Sequence, residues 1–447
     1  MIRSVLKARR SDRELIGLTI LSSIVLYLFL GSTLIVIINF VSMLSRTNCA
    51  RSLAERLIGK ASTLTLLSKR DTRIGNEQFQ NLGPLPQEEV LSAIKSLWNY
   101  REGCEKQVER NFRLFAHMSF KQQRLCKEAG YVKKLETVET SIGSNQEFLN
   151  VVANNALDRY GLKDTASDAL SFGIKRDNTS HFRVVEALGH IARDWTSFGD
   201  DEVQPLLEYI IKSLEKYIPN EERSLTTIII PGSGLGRLAH EVAQTTSDDP
   251  EFKDIYAVEY SGLMHLCNEF IYSSSETHTI QPFIHSNSNF YNNGQQFRKL
   301  SINPQVKPSN LRFIFDDFRN FELPDSCAYG NVVVITAFFL DTAENLMDYL
   351  DKIEKLTTPS AKNKIRKGFL VNIGPLKYGT AAQVELNADE LAYVRRKKGW
   401  KDLSRTLSLM QNSQVGNGGL VGYITNKESM WQGYYGLEMW VSQKKKT

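Results

Sequence analysis

The chain has 447 residues, 42% of them hydrophobic and 23% charged, with a net charge of +5. This length indicates two or three domains, and the apolar content excludes a disordered or collagen-like polymer. The small, dispersed charge gives no reason to expect a nucleic-acid partner. The five cysteines are scattered and none forms a Cys-x-x-Cys pair, which indicates free thiols in a reducing compartment.

The first part of the chain predicts attachment to a membrane. Residues 1–14 form a short basic tail, and residues 15–44 contain no charged side chain. This stretch is longer than the roughly 20 residues that a helix needs to cross a bilayer. It is also longer than the apolar region of a cleaved signal peptide. We therefore expect a membrane anchor at residues 15–44. Basic residues are nearly equal in number on its two sides, so their distribution does not decide between two topologies of the anchor, a single span and a hairpin.

Two segments of different character precede the first strand. Residues 45–85 carry mixed charges and Ser/Thr side chains, end at Gly-Pro-Leu-Pro, and are typical of a loosely structured linker. Residues 86–220 show helical periodicity and are predicted to form an all-helical domain. Within that domain, Ser144 and Glu147 have the spacing of a capping box, which predicts a helix that begins there.

Strands and helices alternate over residues 221–447. Buried strands are expected at 226–230, 255–258, 312–315, 331–336 and 368–373, with helices at 237–244, 263–273 and 343–356. Two further strands, 420–424 and 437–441, suit an antiparallel hairpin at one sheet edge. This order predicts an α/β domain whose parallel sheet is covered on both faces, the layout of class I methyltransferases.

A glycine-rich turn follows the first strand. Gly232, Gly234 and Gly236 alternate with other residues before a helix, where the backbone can approach a ligand closely. A dinucleotide-binding turn needs its third glycine at position 237, which is Arg237. The G-x-G-x-G spacing is that of S-adenosylmethionine (SAM) binders, although an ordinary strand–helix turn can share it.

Acidic and aromatic side chains follow the later strands. Glu259 ends the second strand, where a carboxylate can bind both hydroxyls of a ribose. Asp317 and Phe318 follow the third strand and can bind the amine and the ring of an adenine. Asp341 follows the fourth strand, where it can orient a nitrogen that accepts a methyl group. Taken alone, each of these acidic residues is equally compatible with an ordinary position in a loop or at a helix N-cap.

Taken in order, these motifs resemble those of the carnosine N-methyltransferases, which combine a helical N-terminal part with a SAM-binding Rossmann-like domain. The resemblance covers residues 90–445. The motifs that carry it are IARDWTSFG (Ile191–Gly199), IIPGSGLGRLAHE (Ile229–Glu241), VEYS (Val258–Ser261), PFIHSNSN (Pro282–Asn289), DDF (Asp316–Phe318), FFLDTAENLMDYLD (Phe338–Asp351) and VNIGPLKYG (Val371–Gly379).

The resemblance implies SAM as the cofactor and assigns residues to two sites. The cofactor-binding residues that it implies are Arg193, His190, Gly232, Gly234, Gly236, Glu259, Asp317, Phe318 and Ala337. The substrate-binding residues are Asp341, Gly379 and Tyr435, with Asp341 as the catalytic residue that holds an imidazole. Three positions depart from the family pattern: His190 replaces a glutamine, Ala337 a cysteine, and Gly379 a histidine that contacts substrate.

The resulting hypothesis is a SAM-dependent N-methyltransferase acting on an imidazole nitrogen of carnosine, giving anserine, or of a related histidine-containing peptide. The alternatives are a membrane-tethered, non-catalytic SAM-binding scaffold and a protein-histidine methyltransferase. No metal is expected, because no His/Cys/Asp cluster has ligand spacing. The anchor and the free cysteines predict a membrane-bound protein whose catalytic domain faces the cytosol, while the oligomeric state is left open.

Overall fold

In the computed structural model, an all-helical part of the chain precedes the first strand. The described ranges are 74–163, 180–244, 251–327, 330–359, 365–407 and 420–445. The predicted membrane anchor at residues 15–44 lies outside them. Within these ranges, no helix combines the length and the apolarity needed to cross a bilayer.

The structure confirms a helical part followed by an alternation of strands and helices. The helices are α1 (Glu77–Gln80), α2 (Pro84–Trp98), α3 (Tyr100–Ala116), α4 (Phe120–Glu128), α5 (Tyr131–Tyr160), α6 (Ser180–Trp195), α7 (Asp200–Tyr217), α8 (Asn220–Arg223), α9 (Arg237–Gln244), α10 (Gly262–Ser273), α11 (Asn293–Gln296), α12 (Leu346–Thr357) and α13 (Ala388–Lys397). The strands are β1 (Thr226–Pro231), β2 (Asp254–Glu259), β3 (His278–Ile280), β4 (Leu300–Ile302), β5 (Leu311–Phe315), β6 (Asn331–Ala337), β7 (Lys367–Gly374), β8 (Trp400–Leu407), β9 (Val421–Gly422), β10 (Tyr434–Tyr435) and β11 (Glu438–Lys444).

Residues 74–85, which the sequence assigns to the linker, are folded. Phe79 is buried in α1 and packs edge-on against the Tyr160 ring, with 5.9 Å between the ring centroids. Pro84 lies in the first turn of α2, where its fixed φ is compatible with a helix and its missing N–H has no helical partner to lose. The proline pair therefore begins a helix rather than ending a connector.

The helix predicted to begin at Ser144 does not begin there. Ser144 lies in the middle of the continuous helix α5. Its hydroxyl donates a hydrogen bond of 3.4 Å to the Thr140 carbonyl, a bond that a serine can make one turn back inside a helix. The spacing of a capping box is therefore compatible with a helix interior as well as with a helix start.

The main sheet has seven strands in the order β5-β2-β1-β6-β7-β11-β8. The five strands from β5 to β7 are parallel, and β11 is antiparallel to both of its neighbours. Every residue of β1 is buried, as expected for a central strand covered on both faces. The strand order reverses between β1 and β6, where open parallel sheets bind ligands at the carboxyl ends of their strands.

The C-terminal strands differ from the prediction. β11 lies between β7 and β8, so the predicted hairpin of 420–424 with 437–441 is wrong. β9 pairs instead with β10 in a separate two-stranded sheet. The edge strand β8 was not predicted, because most of its residues are polar or charged and its apolar residues do not form a buried run.

The helical part packs directly onto the sheet domain. One apolar core contains Leu97 of α2, Leu149 of α5, Leu188 of α6 and Leu266 of α10, all of them buried. Leu235 of the turn between β1 and α9 belongs to the same core, which therefore holds α6 beside the glycine-rich turn. Helix α6 carries His190 and Arg193.

Candidate active site

The glycine-rich turn after β1 requires glycine for its backbone conformation. Gly232, Gly234 and Gly236 have φ values of +61°, +55° and +82°, a region that other residues rarely adopt. A Cβ atom at position 232 would lie 2.4 Å from the Phe339 ring, and one at 236 would lie 2.7 Å from the Phe313 ring. A Cβ atom at 234 would meet no atom within 4 Å. Gly234 therefore borders open space, whereas Gly236 faces the core.

A cleft opens between this turn, helix α6 and the end of β6. Five of the residues predicted to bind the cofactor line it, namely His190, Arg193, Gly232, Gly234 and Ala337. Phe338 and Tyr423, which were not among the predicted site residues, also line it. The residues that meet here come from four distant parts of the chain, at the point where the strand order reverses.

Arg193 is buried at the edge of the cleft with its charge compensated. Its Nη1 donates a hydrogen bond of 2.8 Å to the Asp194 carboxylate, and its Nε lies 3.5 Å from a Glu202 oxygen. Its guanidinium lies 4.8 Å from the centre of the Tyr423 ring. Burial acts to lower the pKa of Arg193, but Asp194, Tyr423 and Glu202 together raise it above its usual value. The arginine is therefore a fixed cation.

His190 lies one turn before Arg193 and is uncharged at neutral pH. Its ring meets the Tyr423 ring edge-on, with 5.7 Å between the centroids. Burial lowers the pKa of His190 below its usual value, despite the opposing charge of Asp194. A neutral imidazole at this position can donate one hydrogen bond and accept another.

Arg237, which stands where a dinucleotide-binding turn has glycine, connects α9 to α6. Its Nη1 donates a hydrogen bond of 2.7 Å to the Asp194 carbonyl, and its guanidinium lies 5.7 Å from the Trp195 ring centre. Trp195 in turn donates a 3.0 Å hydrogen bond to the Leu235 carbonyl in the glycine-rich turn. These contacts fix α6 against the turn. A glycine at position 237 would have no side chain to make them.

Glu259 ends β2 beside the turn, as predicted, and also organises the turn. One of its carboxylate oxygens accepts a 2.8 Å hydrogen bond from the Gly234 N–H. The other accepts bonds of 2.8 and 2.7 Å from the N–H groups of Tyr260 and Ser261. Burial raises the pKa of Glu259 in spite of these bonds. Because a carboxylate has about four acceptor positions, it keeps capacity for one hydroxyl donor.

Asp317 and Phe318 lie at the end of β5, outside the residues that line the cleft. The Phe318 ring is buried and packs edge-on against Phe339, at 5.6 Å between centroids. Asp317 accepts hydrogen bonds of 3.0 Å on each oxygen from Nε of Arg319. Burial opposes ionisation of Asp317, but the contacts with Arg319 lower its pKa below the usual value.

An aromatic wall, formed by Phe338, Tyr423 and Tyr435, connects the cleft to the predicted substrate residues. Phe338 stacks on Tyr423 at 4.9 Å and meets Tyr435 edge-on at 6.2 Å. Phe338 has a φ of +50°, which is rare for an aromatic residue and is strained. A run of two phenylalanines before Asp341 gave no local indication of this role, because the stacking partner Tyr423 lies far away in sequence.

Asp341 is buried in a short 3₁₀ helix, Leu340–Thr342, three residues after Phe338. One of its oxygens accepts a 3.2 Å hydrogen bond from the Lys377 backbone N–H. Burial raises the pKa of Asp341 to about 6, although this hydrogen bond acts in the opposite direction. The Lys377 ammonium lies 5.6 Å from the Tyr435 ring centre, so Asp341, Lys377 and Tyr435 are neighbours.

Gly379 lies in the same loop as Lys377, and both residues are exposed. A Cβ atom at this position would meet no atom within 4 Å. Lys377 is a cation in the loop in which the family pattern has a substrate-contacting histidine; its backbone N–H contacts Asp341, and its ammonium lies over Tyr435. Lys377 was not among the predicted site residues, although it lies only two residues before Gly379.

The residues around the cleft fit SAM. Within the described residues, the buried Ser233 hydroxyl has no hydrogen-bond partner, and because Ser233 lines the cleft this hydroxyl can bind a polar group of a ligand. The glycine-rich turn, the acid at the end of β2 and an open sheet with one antiparallel strand complete the arrangement. Together they define a class I, SAM-dependent methyltransferase with a Rossmann-like fold.

Comparison with known proteins identifies the family within that class. The family model of carnosine N-methyltransferase matches residues 173–446, and the chain belongs to this family. The carnosine N-methyltransferase of Mus musculus is 26% identical over 374 residues, covering 80% of this chain and 87% of that protein. The Schizosaccharomyces pombe enzyme of the same name is 27% identical, covering 80% and 95%.

An uncharacterized protein of Saccharomyces cerevisiae is more similar but over a shorter range. It is 35% identical over 270 residues, which are 60% of this chain and 56% of that protein. Among solved structures, magnesium protoporphyrin IX methyltransferase from Synechocystis with bound SAM aligns with a TM-score of 0.32 and 10% identity, covering 61% of this chain and all of that one. The fold assignment rests on the strand order of this chain.

Proposed function

We propose that this methyltransferase transfers a methyl group to an imidazole nitrogen of carnosine, giving anserine, or of a related histidine-containing peptide. The observation that carries the proposal is the buried Asp341 carboxylate, placed beside the aromatic wall at the end of β6. The names of the relatives support the same acceptor.

Asp341 is suited to holding an imidazole N–H. Because the pKa of Asp341 is raised to about 6, the carboxylate is ionised at neutral pH. One hydrogen bond, from the Lys377 backbone, leaves most of its acceptor capacity for a ligand. In a buried environment such a charge-assisted hydrogen bond is stronger than in water.

The role of the protein in the reaction is to orient and stabilise the acceptor. When bound, SAM supplies an electrophilic methyl group on a positively charged sulfur. Asp341 accepts a hydrogen bond from one imidazole N–H, which fixes the tautomer and directs the lone pair of the other ring nitrogen into the cleft. As that nitrogen takes the methyl group, the methyl–sulfur bond would break with its electrons left on sulfur, so the positive charge passes to the ring. The adjacent carboxylate stabilises this charge until the ring N–H proton is released to water. The aromatic wall excludes water from the ring.

Lys377 favours a small peptide with a free carboxylate over a histidine inside a protein chain. Its ammonium lies over Tyr435 and makes no ion pair with any carboxylate among the described residues. Carnosine carries a carboxylate on its histidine, which can pair with this cation while Asp341 holds the ring. In a protein chain the same position is an uncharged amide.

In the decisive experiment, the full chain is incubated with radiolabelled SAM and carnosine and, in parallel, with radiolabelled SAM and a histidine-containing protein fragment. We expect label in carnosine, lost in Asp341→Ala while SAM binding is retained. Label only in the fragment would identify a protein-histidine methyltransferase instead. Saturable SAM binding without label in either acceptor would support the non-catalytic scaffold.

We also propose that residues 15–44 anchor the protein in a membrane with the catalytic part in the cytosol. The support is the uncharged stretch itself and the free cysteines, of which Cys104, Cys267 and Cys327 are buried. We expect the full chain to resist extraction by alkaline carbonate, and deletion of 15–44 to release it. Glycosylation at the Asn178-Thr179-Ser180 sequon would show a lumenal body and contradict the orientation.

A further inference from the structure

Glu202 is a buried carboxylate that the mechanism above does not use. It lies in the first turn of α7 and is only 3% exposed. Its two oxygens accept backbone hydrogen bonds of 2.7 Å from Thr425 and 2.8 Å from Ile424. Residues 420–425, here called the Tyr423 segment, are thereby attached to α7 across more than two hundred residues of sequence.

The same carboxylate faces the arginine at the cleft. The oxygen that accepts from Ile424 lies 3.5 Å from Arg193 Nε, and that nitrogen has no hydrogen-bond partner within the described residues. Glu202 and Asp194 are thus the two carboxylates that compensate the buried guanidinium. Removing one partner from a buried ion pair leaves an uncompensated charge, which is strongly unfavourable.

The backbone of the Tyr423 segment needs such a restraint. Ile424 has a φ of +56°, which is rare for a β-branched residue. Gly422 has no room for a side chain, because a Cβ atom there would lie 2.5 Å from a Glu202 oxygen. Between these two residues, Tyr423 covers Arg193 and stacks on Phe338. The bonds from Glu202 therefore act on the residue that closes the cleft.

We infer that Glu202 is a positioning residue for SAM binding, acting through Arg193 and the Tyr423 segment without contacting the cofactor. It holds the guanidinium at one edge of the cleft and the Tyr423 ring above it, so that the cleft is formed before SAM enters. This inference requires SAM binding but does not depend on which molecule accepts the methyl group.

The test compares two neighbouring carboxylates in the full chain. Glu202→Gln removes the charge beside Arg193 and places an amide N–H group against backbone donors. The matched control is Asp201→Asn, because Asp201 also contacts this part of the chain, through a 2.6 Å ion pair with Lys427, but is 75% exposed. Exposed pairs contribute little, so we expect less than a twofold change in SAM affinity for the control.

For Glu202→Gln we expect the dissociation constant and the KM for SAM to rise at least tenfold, with a smaller change in kcat at saturating SAM. In an Arg193→Met background the same substitution is expected to lower SAM affinity by a clearly smaller factor, because only its effect through the backbone of the Tyr423 segment remains. Wild-type affinity in Glu202→Gln, or an equal loss in both backgrounds, would overturn the inference.

A second variant keeps the test decisive if Glu202→Gln fails to fold. Gly422→Ala leaves the charge in place but inserts a methyl group against the Glu202 carboxylate. We expect it to lower the thermal midpoint, because of the close contact, and to weaken SAM binding several-fold when affinity is measured well below that midpoint. Unchanged SAM affinity in this variant would show that the contact between Glu202 and the Tyr423 segment does not position the cleft.

Discussion

Replacing Asp341 by asparagine separates the stability of the fold from catalysis. The folded protein raises the pKa of Asp341 from 3.8 to about 6, so the ionised carboxylate is disfavoured by burial. At about 1.4 kcal/mol for each tenfold change, this corresponds to about 3 kcal/mol at neutral pH. Asparagine has a similar shape and carries no charge. We therefore expect Asp341→Asn to raise the free energy of unfolding by about 1–3 kcal/mol at pH 7.

The sign of the effect is fixed by the direction of the pKa shift. Below pH 3.8 the carboxyl group is protonated in both the folded and the unfolded state, so the substitution has no electrostatic effect. Between pH 3.8 and 6 the unfolded chain ionises first, and the advantage of asparagine grows. Above pH 6 the stability advantage of asparagine is constant. Denaturant unfolding of both proteins at several pH values measures this curve directly.

Catalysis is expected to change in the opposite direction. Asparagine provides no negative charge to stabilise an imidazole that becomes positive, so kcat should fall by roughly 10²–10³-fold, the usual cost of losing one such group. SAM affinity should be unchanged, because Asp341 does not line the cleft. Titration calorimetry with SAM and a carnosine methylation assay measure the two quantities.

Glu344→Gln is the matched control, since Glu344 is exposed and lies three residues after Asp341 in the chain. It should change neither stability nor kcat. If Asp341→Asn were no more stable than the wild type at pH 8, burial would not be the source of the raised pKa. A parallel loss of SAM binding would refute the separate role assigned to the carboxylate.

Further predictions concern the turn, the aromatic wall, the cation and the first helix. Gly232→Ala should lower the thermal midpoint and abolish saturable SAM binding, since its Cβ would meet Phe339 at 2.4 Å on a backbone with φ +61°; normal binding would show that the turn can move. Tyr423→Ala should weaken SAM binding by about 1 kcal/mol, roughly fivefold, whereas Tyr423→Phe keeps the ring over the guanidinium and should not. Lys377→Met should raise the KM for carnosine about tenfold and leave an imidazole acceptor without a carboxylate unaffected; equal effects on both would exclude a carboxylate contact. Phe79→Ala should cost about 3–5 kcal/mol in a urea titration, as for a buried core aromatic, and no more than about 0.5 kcal/mol if residues 74–85 were a loose linker.

The elements that are recognisable locally were predicted well. The strand β6 is a run of β-branched residues buried on both faces, and helix α9 has the predicted bounds, Arg237–Gln244. The glycine-rich turn was recognisable because its backbone conformation depends on residue type at each position. These features depend on neighbours a few residues apart, which the sequence displays directly.

Features that depend on distant contacts were missed or misassigned. Tyr423 acquires its role only from Arg193 and Phe338, which lie far away in the chain. Strand β11 has the expected apolar pattern, but its partners on either side, β7 and β8, are set by the closure of the sheet. The sequence by itself determined the class of fold, the cofactor turn and the acid after β6. Only the tertiary structure decided which side chains surround the cleft, because burial and pairing across the chain are properties of the packed molecule.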